Sequence, residues 1–123
     1  MEVLLDTNFI ISCLVKKIDF LGELEEKGFR VKVPREVLDE MKDLKNSGKA
    51  SHEERTMIGV ALELLENKKI KKMKLGGGKV DEKLIEMGKK GIYIATLDNG
   101  IKREIPNKVI INNSRKGLEI LRS

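Results

Sequence analysis

The sequence predicts an α/β fold, an α/β/α sandwich around a mainly parallel sheet of five strands. Two observations carry this. Short apolar runs of β type alternate with longer runs of helical spacing, and Gly or Pro punctuates most of the junctions. A chain of 123 residues with 40% hydrophobic residues is long enough for one core and too short for two, so residues 1–123 form a single domain.

The elements follow in order. "EVLL" (2–5) is a compact apolar strand, and "NFIISCLVKK" reads as helix. "FLGELEEKG" continues helically to Gly28, a C-cap residue. "RVKV" (30–33) is the second strand, ended by Pro34, and "REVLDEMKDLKNSG" is a helix stopping near Gly48. Ser51 and Glu54 stand in capping-box spacing ahead of the longest amphipathic segment. "IKKMKL" (70–75) is a third strand, "GGGK" a flexible connection, and "VDEKLIEMGKKG" a helix closed by Gly91. "IYIAT" is the clearest buried strand, "GIKREI" a short helix, and "KVIIN" the fifth strand. "SRKGLEILRS" is a tail or short helix.

Composition narrows the function. Aromatics are 3%, which argues against binding RNA on an aromatic stacking platform. The net charge of +5 suits a polyanionic partner, and equally a solvated Lys/Glu surface. Charged residues reach 37% and Gln is absent, the pattern of hyperthermophile proteins. Cys13 is the single cysteine, expected to be a buried inert thiol. No signal peptide or membrane-spanning run is evident, so a cytoplasmic location with no membrane partner is expected.

Ligands of open parallel sheets collect beyond the carboxyl ends of the strands. Strand one ends in Asp6-Thr7-Asn8 and the fourth strand in Thr96-Leu97-Asp98. Each acid alone could simply cap the following helix. Helical phase supplies two further acids. Around the apolar face of Val37, Leu38, Met41 and Leu44, Glu40 lies about 90° from the centre. Glu36 lies about 130° away, Asp43 about 150° and Asp39 about 170°, and these three are expected in solvent. In the later helix Asp81 lies about 65° from the apolar centre and Glu82 about 165°. Asp81 also sits at a helix start, where the dipole favours a carboxylate in any case.

Asp6, Glu40, Asp81 and Asp98 can therefore converge above the carboxyl edge of the sheet. Clustered carboxylates repel one another, and a hard divalent cation removes that penalty. Oxygen-only donors suit Mg²⁺ or Mn²⁺. Such an ion activates water and neutralises a phosphodiester under attack, which makes metal-dependent nucleic-acid hydrolysis the chemistry to expect.

These stretches, "LLDTN", "VPREVLDEM", "VDEKLIEMG" and "YIATLDNGIKREI", resemble in order the acidic motifs of PIN-domain nucleases, over residues 2 to 111. The resemblance implies a metal-dependent endoribonuclease whose catalytic and metal-binding acids are Asp6, Glu40, Asp81 and Asp98. It places Thr7 or Asn8 and Thr96 at small polar positions supporting those acids. Glu82 stands where many members carry a second Asp. The wording "VPREVLDEMKDL" and the ending "VIINNSRKGLEIL" look more like archaeal single-domain relatives of small-subunit rRNA-processing PIN proteins than like VapC-type toxins. The first implies an rRNA precursor or other structured RNA as substrate. The second implies an antitoxin partner, and either permits a homodimer. Lys102 and Arg103 are candidates to reach a substrate phosphate, with a solvated helix face as the plainer reading.

The rivals fit less well. A phosphoacceptor receiver domain needs an acidic pair at the first strand, and a haloacid-dehalogenase-type phosphatase needs Asp where Asn8 stands. A non-catalytic PIN scaffold binding RNA or protein is the rival of another class. His52 reads as solvated, "GGGK" lacks the rest of a phosphate loop, and the methionines read as core.

Overall fold

The computed structural model describes all residues 1–123. Six strands form one sheet in the order β3-β2-β1-β4-β5-β6. They are β1 (Glu2–Leu5), β2 (Arg30–Pro34), β3 (Lys71–Met73), β4 (Tyr93–Ala95), β5 (Lys108–Asn112) and β6 (Gly117–Leu121). All pairs are parallel except β5 with β6. The helices are α1 (Thr7–Val15), α2 (Phe20–Glu26), α3 (Arg35–Asn46), α4 (His52–Asn67), α5 (Val80–Lys89) and α6 (Asn99–Glu104).

Both faces of the sheet are covered, so β1 after Glu2 and all of β4 are apolar and sort their side chains by alternation. Val3, Leu5, Tyr93 and Ala95 join the larger core under α1 to α4. Leu4 and Ile94 point the other way, to Leu84 of α5 and Ile101 of α6. Gly88 lets α5 press on that second face, because a Cβ there would collide with the Ile105 side chain. All four aromatic residues are spent in the core: Phe9 meets Phe20 edge-on at 6.2 Å, and Phe29 meets Tyr93 at 4.9 Å. None is left to stack on a base.

Most elements stand where the sequence puts them, including the Ser51–Glu54 capping box of α4. Three differ. Helical reading ran on through residue 17, yet α1 ends at Val15 with Lys17 left-handed at φ 59°. The Lys17 and Ile18 N–H groups fold back on Leu14 and Cys13 carbonyls, and Asp19 caps α2 through the Gly22 N–H. The third strand is shorter than expected, at Lys71–Met73.

The expected tail is β6, which makes the sheet six-stranded. Asn112 Oδ1 takes the Arg115 N–H, Lys116 turns left-handed at φ 51°, and the chain returns along β5. Leu118 then faces the core and Ile120 packs beside it. Side chains blunt the outer edge of β6, since Glu23 accepts the Leu118 N–H at 3.2 Å and the Arg115 guanidinium donates to the Leu118 carbonyl at 2.7 Å. No helix is long and apolar enough to cross a membrane.

Candidate functional site

The chain leaves β1 toward β2 and β3 on one side, and passes from β4 to β5 on the other. The carboxyl ends of β1 and β4 therefore flank the topological switch point, where open parallel sheets bind ligands. Register puts Leu5 beside Ala95, so Asp6 and Thr96 emerge as neighbours. The Asp6 N–H is tied to the Ala95 carbonyl at 3.0 Å and the Thr96 N–H to the Val109 carbonyl at 3.3 Å.

Asp6 is the N-cap of α1 and is 8% exposed. Its Oδ1 accepts the Thr7 N–H and its Oδ2 accepts the Thr96 hydroxyl, each at 2.8 Å. The same Thr96 oxygen accepts the Asp98 N–H at 3.1 Å, and Asp98 caps α6 by accepting the Ile101 N–H at 3.0 Å. One buried hydroxyl thus joins two strand-end acids. Thr7 is also buried, and its hydroxyl has no hydrogen-bond partner within the protein. Buried side-chain oxygens are usually hydrogen-bonded, so this hydroxyl has bonding capacity to offer a water or a ligand.

Burial raises the Asp6 carboxyl above its ordinary range, and the two hydrogen bonds only partly oppose this. The negative charges of Glu40 and Asp81 push it up further. These two acids, chosen by helical phase, come from opposite faces of the sheet to the same carboxylate. Both are exposed, Glu40 in the middle of α3 and Asp81 in the first turn of α5. None of Asp6, Glu40, Asp81 and Asp98 forms an ion pair.

The donor chemistry fits a hard divalent ion: a buried carboxylate, further acids without cations, and an unpartnered hydroxyl. The acids are not drawn into one ligand cluster, and no three such side chains stand close enough together to hold a metal ion. Asn8 is exposed on the first turn of α1. Lys102 and Arg103 lie in the last turn of α6, the first half-buried and the second exposed.

Glu36 was expected to be solvated and is instead half-exposed and engaged by backbone donors. Its carboxylate accepts the Leu75 N–H at 3.1 and 3.0 Å and the Gly76 N–H at 3.2 Å, pinning the loop between β3 and α5. Burial alone would raise its pKa, but these backbone donors, its own N–H and Lys74 outweigh that and hold it below the usual range. It lies one turn before Glu40 on the same flank of α3, and the loop it grips leads to Asp81. The signal available in the sequence was indirect, three consecutive glycines whose N–H groups need acceptors. Cys13 is buried as expected, its thiol pushed up to about 12 by burial.

A family model described as a PIN-like domain matches residues 3–113, all of the chain up to the turn before β6. Among solved structures, the PIN domain endonuclease Utp24 superposes with a TM-score of 0.73 at 23% identity, covering 99% of this chain and 92% of that one. No curated protein matches the sequence.

Proposed function

The chain belongs to the PIN-like domain family, and from that premise we propose that it is a metal-dependent endoribonuclease hydrolysing RNA phosphodiester bonds. The observation that carries this reading is the buried Asp6 carboxylate at the switch point, fixed by Thr96 and pressed by the charges of Glu40 and Asp81. An endonuclease among the proteins of like fold supports the same class of reaction.

Asp6, Glu40, Asp81 and Asp98 are the residues that would hold Mg²⁺ or Mn²⁺. When bound, the ion supplies charge neutralisation at the phosphodiester and a water of lowered pKa. The chain's own contribution is placement. Thr7 N–H and Thr96 Oγ1 fix both oxygens of Asp6, so its orientation is set before any ligand arrives. Thr96 in turn sets the backbone of Asp98. Lys102 and Arg103, on the helix that Asp98 caps, are proposed to meet substrate phosphate. The wording of α3 and the chain ending favours a precursor ribosomal RNA as substrate.

The test is cleavage of structured RNA, including precursor rRNA, with Mn²⁺ by wild type and Asp6→Asn. Wild type is expected to cut internally, and the variant to lose at least about two orders of magnitude in rate. Equal rates would remove Asp6 from the chemistry. Failure of wild type to cut any RNA offered would assign the fold a binding role without hydrolysis.

A further inference from the structure

A groove of about 920 Å³ runs between α3 and α4, and none of Asp6, Glu40, Asp81 and Asp98 lines it. Lys42 and Lys45 of α3, Arg55 of α4 and Lys72 of β3 line it. Opposing them are Glu63 and Glu66, and Glu66 is occupied by Lys72 at 3.3 Å. Lys45 lies across Gly59 in the middle of α4, its ammonium 3.4 Å from where a Cβ would stand. Beyond Leu65 and Glu66 the depression continues into a hollow of about 290 Å³ lined by Arg35 and Lys69.

Helix α3 divides its charges. Glu40 and Lys42 project about 160° apart, so Glu40 is directed to the Asp6 side while Lys42 lines the groove with α4. The cations continue into "KKIKKMK" (68–74), five lysines in seven residues. Lysines guard sheet edges against pairing with other chains, but a strand of three residues is already a poor template. The run exceeds that need.

From this arrangement we propose that the α3–α4 groove is a second RNA-binding surface, which holds the phosphodiester backbone of a structured substrate away from the scissile bond. The proposal rests on the reading of the protein as an enzyme acting on RNA. Three observations choose a phosphate backbone over a docked protein helix. Four cations against two acids line the groove, an excess of positive charge that a phosphate backbone would neutralise. No Phe, Tyr or Trp lines it, which fits contact through charge more than through base stacking. Arg35 and Lys69 extend the cations past the groove into the adjoining hollow, matching a polymer of repeated charge.

The experiment places K42E/K45E/R55E in an Asp6→Asn background and titrates a labelled RNA hairpin by fluorescence anisotropy over a range of salt. Affinity is expected to fall by about tenfold or more, with the salt slope shallower by about two to three. In the Asp6 background the same reversal should leave cleavage of a short single-stranded oligonucleotide unchanged. K42R/K45R/R55K should keep hairpin affinity, which separates lost charge from a damaged fold. Unchanged affinity and slope on charge reversal would overturn the proposal. So would equal loss in the conservative variant, or a dimer dissociating while hairpin affinity stays fixed. Absence of cleavage by wild type would sink the enzyme reading while leaving the binding result to stand or fall on its own.

Discussion

The Thr96 hydroxyl donates to Asp6 Oδ2 at 2.8 Å, a buried bond between residues 90 apart in sequence. It joins the ends of β1 and β4 at the switch point. Because Thr96 Oγ1 also accepts the Asp98 N–H, one atom orients an acid on one strand and the backbone of an acid on the next.

Thr96→Val removes both bonds while keeping the branched shape that packs at the strand end. It leaves a buried carboxylate oxygen and an N–H short of a partner, at a cost of about 1–3 kcal/mol in stability. Cleavage and Mn²⁺ affinity should drop about 10–100-fold, the usual effect of losing a group that orients a ligand. Thr96→Ser restores the hydroxyl and should recover most of both. A Val variant with wild-type metal affinity would show that Asp6 needs no such support.

Asp6 also leaves a signature in stability. Its pKa is raised in the fold, chiefly by burial, so the native state favours the protonated carboxyl. That share of stability is fully present below the unfolded value near 3.8 and is lost as pH rises through the raised one. Asp6→Asn carries no charge and escapes the loss. With a chelator present, it should melt a few degrees above wild type at neutral pH, with about 4 °C corresponding to about 1 kcal/mol. The gap should close at low pH. Millimolar Mn²⁺ should raise the wild-type Tm and leave the variant unmoved. Identical melting curves across pH, with and without Mn²⁺, would contradict the electrostatic account of the site.

What the sequence made legible is what depends on local rules. Asp6, Thr96 and Asp98 sit at strand ends, and strand ends are readable from apolar runs. Glu40 and Asp81 followed from helical phase, although exposure of both in the structure means that phase predicted a direction and not burial. The misses involve partners remote in the chain or backbone turns without a marker. Lys17 turns left-handed with neither Gly nor Pro to announce it. The alternation of Leu118 and Ile120 was present, but a five-residue strand is ambiguous until β5 stands beside it. Glu36 had the wrong phase for the core because its partners are loop amides 39 and 40 residues away.

Glu36 gives a test in which structure and function separate. Its two oxygens hold the Leu75 and Gly76 N–H groups, and that loop carries the chain from β3 into the first turn of α5, where Asp81 stands. Two left-handed glycines, Gly76 (φ 99°) and Gly78 (φ 102°), leave the loop little rigidity of its own. Glu36→Ala should therefore speed hydrogen exchange at Leu75 and Gly76. The global Tm should fall little, since a glycine loop can open locally while the core stays folded. Cleavage should nonetheless fall about tenfold, through Asp81 losing its fixed approach to Asp6. The pH dependence runs opposite to that of Asp6. A lowered pKa means that the clamp is present above the ordinary Glu value of 4.5 and is lost as pH falls through the shifted one. Exchange at Leu75 should thus accelerate in wild type only at acid pH, and in Glu36→Ala be fast throughout. Slow exchange at Leu75 in the variant at neutral pH would mean that the glycine loop is held by something other than Glu36.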